Sequence, residues 1–278
     1  MASIGLGRWV AKKGARQGMA TGSWALGRVG TRPGRPRLRV LTYHRFGIST
    51  RDPFCVSRPA FEQQMRWVAE KGRAVSLAQV EAFVAGRGTL PDGAVLVTMD
   101  DGCRSVFTDA LPVLRDHGVP AVAFVPAGLV GEREIPGYDE PAMTWDEMAR
   151  LPEAGIAVGS HAFHHRSLGL ATVEEAREEA VRSRELLGSR MGTPVTSFAY
   201  PFGTRADYSD ATRRILAEAG YATAFTSQHG AIEPGLDPLE LPRIKVEGGD
   251  PGWMFPLLCA GAMDGWALVD RGLWRIQR

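Results

Sequence analysis

Two adjacent carboxylates and a cluster of imidazoles carry the chemistry this sequence offers. In "VTMDDGCRSV", residues 97–106, Asp100 and Asp101 close an apolar run and precede a glycine. Two carboxylates held that close need a cation or a shared proton to be tolerable. A divalent ion meets the need: one aspartate binds it and the other stays free as a base. The plainer alternative is a solvated turn. In "SHAFHH", His161 and His165 stand four apart, and three of the chain's six histidines fall within five residues. That spacing places both rings on one face if the segment is helical. Two histidines with a carboxylate and open positions form a catalytic metal set; the alternative is a loop with surface histidines. A metalloprotease helix shares the spacing, but Ala162 stands where its glutamate base would be. The base must then come from elsewhere, and Asp100 is available. Cys103 reads as a small packing residue, since a fourth protein ligand would close the site to water.

The elements around these residues alternate. Short apolar runs at Val40–Tyr43, Val95–Met99, Ala121–Val125, Ile156–Gly159, Ser197–Tyr200, Ala222–Thr226 and Leu241–Val246 read as strands. Amphipathic stretches at Pro59–Lys71, Ser76–Ala85, Ser105–His117, Val173–Arg190 and Asp210–Ala219 lie between them, and Thr172 with Glu175 makes a capping box. His117, beside Gly118, reads as a helix-end residue. Alternation on this scale predicts an α/β fold with a parallel sheet closing into a barrel. Active sites of such barrels gather at the C-terminal strand ends. There "TYHRF", "MDDG", "GSHAFHH" and "AYPFG" bring histidines, carboxylates and glycine turns to one rim.

The 278 residues fit one barrel domain, and 44% hydrophobic with 23% charged residues suits a globular chain. The net charge of +2 conceals an asymmetry: residues 1–39 hold nine of the 33 Lys/Arg and no acid, leaving 24 bases against 31 acids. Residues 1–37 are therefore expected to form a basic, flexible arm, residues 38–250 the barrel, and residues 251–278 a helical extension packed on it. Such an arm suits an anionic membrane surface. No nucleic acid partner is expected. Three scattered cysteines give no disulfide framework and no thiolate metal site. No run is apolar enough for a transmembrane helix, and Arg8, Lys12 and Lys13 interrupt any signal sequence. The expected location is cytoplasmic, or peripheral to a membrane.

"TMDDG", "SHAFHH" and "AYPFG", in this order on successive strands, resemble the polysaccharide deacetylase superfamily (NodB homology, carbohydrate esterase family 4), over roughly residues 38–250. The resemblance implies a distorted (β/α)7 barrel and metal-dependent removal of N-acyl groups from amino sugars. By the same resemblance Asp101, His161 and His165 are the metal ligands, with zinc first and cobalt or nickel as alternatives. Asp100 is the general base, and Phe202 offers its backbone N–H to the oxyanion.

The chain departs from the family's pattern at several places. Ala162 replaces a hydroxyl residue that braces the histidine loop, and Ala199 stands where many members carry an arginine for the catalytic aspartate. Arg243 or Arg205 is left to take that part, with Arg243 preferred. No clear fourth motif is found, and the fifth-motif histidine that serves as acid is absent in its standard form. His44 and His229 are the candidates for that proton, with His44 preferred. The substrate class implied is an N-acetylated, N-acetylglucosamine-type saccharide. Two alternatives stay open: a saccharide-binding or assembly protein with reduced turnover, and a deformylase or amidase acting on another N-acyl compound.

Overall fold

The computed structural model describes residues 5–26, 37–48 and 51–272. In chain order its elements are α1 (Leu6–Ala25), β1 (Arg39–Tyr43), β2 (Arg45–Phe46), β3 (Cys55–Val56), α2 (Arg58–Glu70), α3 (Leu77–Val84) and β4 (Val95–Met99). There follow α4 (Leu111–His117), β5 (Ala121–Val125), α5 (Trp145–Ala149), β6 (Ile156–Ser160), α6 (Val173–Met191) and β7 (Ser197–Ala199). The chain ends with α7 (Asp210–Ala219), β8 (Thr223–Phe225), β9 (Ile244–Lys245), α8 (Met254–Cys259) and α9 (Trp266–Gly272).

Seven strands form one parallel sheet in the order β8-β7-β6-β5-β4-β1-β9. A parallel bridge between Phe225 and Leu241 brings the two sheet ends together, so the sheet curls into a distorted barrel. The α/β barrel class expected from the sequence is the one observed. β1, β4 and β5 are buried at every position, as strands of a parallel sheet covered on both faces must be. Alternate residues divide between two cores. Val40, Leu96, Val122, Phe124, Ala199, Phe225 and Leu241 fill the barrel. Leu41, Tyr43, Val95, Val97 and Met99 face the helices that surround it. The capping box of Thr172 and Glu175 opens α6, and Gly118 in the left-handed region closes α4 just after His117.

The N-terminal stretch differs from the expected free arm. Residues 6–25 form α1, whose Lys13 and Arg16 are buried against Glu247 and Asp250: Lys13 Nζ lies 2.8 Å from Asp250 Oδ1, and Arg16 Nη2 lies 2.7 Å from Asp250 Oδ2. Bases expected in a flexible arm therefore neutralise acids that lie more than 230 residues away in the chain. Arg28, Arg32 and Arg35 of the same arm lie outside the described residues. After residue 250 the chain forms α8 and α9. Phe255 meets Trp67 edge-on at 5.6 Å, and Asp264 pairs both oxygens with Arg39 at the start of β1. Residues 273–278 lie outside the described residues. No described helix is long and apolar enough to cross a membrane.

Candidate metal centre and active site

β4 delivers the acid pair. Its last residue is Met99, and the chain then turns sharply, with Asp101 at φ +71° and Gly102 at φ +68°. Gly102 is required twice. A side chain there would be strained by the left-handed backbone, and a Cβ would stand 2.9 Å from Val125 Cγ1. The turn sends the two carboxylates to different partners although they are adjacent in sequence.

Asp100 meets Arg243 in a two-pronged pair: Nη1 donates to Oδ1 at 2.8 Å and Nη2 to Oδ2 at 2.7 Å. Arg243 is itself held by Thr226 O at 2.9 Å and Thr98 Oγ1 at 3.2 Å. Burial alone would raise the pKa of Asp100, but Arg243, with His161 and His44 nearby, holds it below the ordinary carboxylate value. Asp100 therefore stays ionised. Arg205, the alternative from the sequence, pairs instead with Glu240.

Asp101 turns Oδ1 to the histidines, 3.3 Å from His161 Nε2 and 3.2 Å from His165 Nε2. Burial pushes its pKa up, yet the hydrogen bonds from these rings outweigh it and the carboxyl is held well below the usual range. His161 follows β6, and its Nδ1 lies 2.7 Å from the carbonyl oxygen of Ala199 at the end of β7. A carbonyl can only accept, so this contact orients the ring with Nδ1 towards the backbone and Nε2 towards Asp101, the usual way a backbone carbonyl orients a metal-binding histidine. One candidate ligand atom from each of Asp101, His161 and His165 lies within 4.8 Å of the others. The donor set, one carboxylate oxygen and two imidazole nitrogens, suits a zinc-like cation with positions left open.

The loop carrying the histidines is not helical, contrary to the geometry that the four-residue spacing suggests. Ala162 and His165 both have positive φ, +64° and +59°, and the chain doubles back to bring the two rings 4.9 Å apart. The brace missing at Ala162 comes from α6: Glu179 Oε2 accepts the backbone N–H groups of Phe163 and His164 at 2.8 and 2.7 Å, and its Oε1 lies 2.7 Å from His164 Nδ1. Sequence reading missed Glu179, which sits 14 residues beyond His165 on a helix whose other acids face solvent.

Phe202, in the third motif, also has positive φ, +62°, and the residue is 52% exposed. It stands edge-on to His165 at 5.0 Å, and its backbone N–H donates to no other group among the described residues. His44 caps β1, with its ring against Phe54 at 4.7 Å. Burial lowers its pKa against the opposing pull of Asp101 and Asp100. His229 lies elsewhere. Its ring and backbone N–H both engage Asp270 of α9, at 3.0 and 2.7 Å, beside a cavity of about 250 Å³ that Arg205 and Gln228 also line. Burial lowers its pKa against the opposing pull of Asp270, with Lys245 and Arg16 adding to the lowering. Cys103 is buried in a bridge to Ala142.

The fold is a distorted barrel of the NodB-homology type. Residues 87–224 match the family model described as polysaccharide deacetylase, a family of hydrolases acting on N-acetyl groups. Among curated proteins it is 26% identical over 220 residues to YxkH of Bacillus subtilis (strain 168), whose name assigns it provisionally to the polysaccharide deacetylases. That alignment covers 79% of this chain and 75% of YxkH. The poly-beta-1,6-N-acetyl-D-glucosamine N-deacetylase of Staphylococcus aureus (strain N315) is 22% identical, with 69% of this chain and 68% of that protein aligned. Among solved structures, IcaB from Ammonifex degensii is 29% identical with a TM-score of 0.69, covering 82% of this chain and 97% of that one. The Streptococcus pyogenes deacetylase PplD shares the fold at a TM-score of 0.71 and 21% identity, covering 79% and 96%.

Proposed function

We propose that the protein is a metal-dependent hydrolase that removes N-acetyl groups from N-acetylglucosamine-type units of a saccharide. The observation that carries this reading is the division of labour at the β4 turn. Asp101 joins two histidines in a ligand set, while Asp100, the next carboxylate back, is kept ionised by Arg243 and remains outside that set. The similarity to a poly-beta-1,6-N-acetyl-D-glucosamine N-deacetylase supports the substrate class.

Asp101 Oδ1, His161 Nε2 and His165 Nε2 would hold the cation, zinc by donor set, with cobalt or nickel as substitutes. What the cation supplies is Lewis acidity towards a carbonyl and a supply of nucleophilic water near neutral pH. The rest falls to the chain. Asp100 accepts the proton that water loses as its oxygen bonds to the acetyl carbonyl carbon. Arg243 keeps both Asp100 oxygens aimed and unprotonated until then. The backbone N–H of Phe202 donates to the oxygen on which charge develops, a contribution of about 3–4 kcal/mol for one well-placed donor. His44 gives a proton to the departing amine nitrogen as the C–N bond breaks, and its lowered pKa makes the protonated ring a stronger acid. Acetate and a free amine leave.

The test is acetate release from N-acetylglucosamine oligomers by the wild-type protein and by Asp100→Ala, with zinc content measured on both. The reading expects turnover by the wild type, loss of turnover in the variant, and equal zinc. Unchanged turnover removes Asp100 from its role. Oligomer binding without turnover by the zinc-loaded wild type would favour a saccharide-binding protein.

A further inference from the structure

Between β5 and α5 the chain makes a long irregular excursion that is fastened onto the acid-pair turn. Met143 N donates to Gly102 O at 2.9 Å, Arg104 N to Pro141 O at 2.9 Å, and Ser105 N to Glu140 Oε1 at 2.7 Å. This excursion carries Tyr138 to Asp101, and its hydroxyl donates to Oδ2 at 2.6 Å. The other oxygen, Oδ1, is the one that faces His161 and His165. The two oxygens of one carboxylate are thereby given separate tasks. The Tyr138 ring is supported in turn: the Arg45 guanidinium lies over it at 5.3 Å, and Arg45 is anchored by Asp52, with Nε 3.0 Å from Oδ2.

We infer that Tyr138 is a positioning residue for the cation site, holding Asp101 as a one-oxygen ligand and so setting the affinity and geometry of the ion. The inference rests on the metal-dependent reading above. A carboxylate with both oxygens free can rotate about its χ2 bond and swing between one- and two-oxygen binding. A short hydrogen bond from the half-buried phenol fixes the carboxylate plane and occupies the second oxygen. Partners of this kind typically change metal affinity by about 10–100-fold. Nothing else among the described residues donates to Oδ2. The residue gives no signal in the sequence, where it is one aromatic in the polar stretch "GEREIPGYDE".

The test uses the full chain stripped of metal and titrated with Zn²⁺ and Co²⁺, reading the zinc Kd by competition and the cobalt visible spectrum. Tyr138→Phe keeps the ring and the Arg45 contact and removes only the hydroxyl. It should weaken zinc binding about 10–100-fold and alter the cobalt spectrum, while thermal unfolding of the metal-free protein changes little. Tyr138→Ala should weaken binding at least as much. If the phenylalanine variant matches the wild type in Kd and spectrum, whether or not the alanine variant is impaired, the hydroxyl has no such role and the inference is overturned. If the wild type itself binds no cation, the metal-dependent reading fails and takes this inference with it. If the wild type binds one equivalent and the phenylalanine variant is unchanged, only this inference fails.

Discussion

Removing Arg243 should injure the protein in a way that removing Asp100 as well partly repairs. Both residues are almost fully buried, at 1% and 3% exposure, and they share two charge-assisted hydrogen bonds of 2.7 and 2.8 Å. Arg243→Met leaves a carboxylate in the barrel mouth with no counter-charge. Breaking one side of such a buried pair costs about 3–5 kcal/mol. For a domain of this size that is a fall of roughly 6–20 °C in Tm. Asp100→Leu should cost a comparable amount by stranding the guanidinium. The double variant Arg243→Met/Asp100→Leu replaces the pair by apolar groups, which is often close to neutral. The single effects should therefore exceed the double effect, with a coupling of about 2 kcal/mol or more by denaturant titration. Single variants whose effects add to within about 0.5 kcal/mol would refute the reasoning, because the pair would then not be acting as a pair.

The anchoring of α1 should be sensitive to acid. Burial raises the pKa of Glu247, but Arg16, Lys12 and Lys13 more than compensate and bring it down to about 2. A depressed carboxylate stabilises the fold above its unfolded pKa, and that contribution is lost as pH falls from about 4.5 towards 2. The shift corresponds to about 3 kcal/mol. Glu247→Gln should flatten this part of the stability–pH curve, and a curve identical to the wild type's would contradict the assignment. Gly102→Ala should cost about 1–3 kcal/mol through its positive φ, with added pressure from Val125, and should lower turnover by displacing both aspartates. A stable, fully active variant would show that the turn tolerates another shape.

How far the sequence revealed this site depended on how local each signal was. Strands that end in a motif were legible because each apolar run is short, mostly buried and closed by a turn residue, and the ends of β1, β4, β6 and β7 converge at one rim as the barrel class requires. Asp101, His161 and His165 meet as their residue types implied. Their route to that meeting was not legible: the histidine loop doubles back through left-handed residues instead of forming a helical turn. Arg243 was separable from Arg205 only in three dimensions: Arg205 follows a rim motif yet pairs with Glu240, whereas Arg243, just before β9, reaches Asp100 in the buried barrel mouth. Glu179, Tyr138 and the acids that hold α1 escaped for one common reason. Each acts through a partner distant in sequence, and neither periodicity nor composition encodes that partner. The basic residues of α1 illustrate it: charge composition placed them in a flexible arm, whereas Glu247 and Asp250 draw Lys13 and Arg16 inside.

The central claim, that Asp101, His161 and His165 hold one divalent cation with Asp100 left unbound beside it, is tested most directly by anomalous diffraction at the zinc absorption edge on crystals of the zinc-loaded protein. The account predicts a single strong peak within about 2.0–2.2 Å of one oxygen of Asp101 and one nitrogen of each histidine, with Asp100 still paired to Arg243. A peak bonded to Asp100, or none among these four side chains, would contradict it.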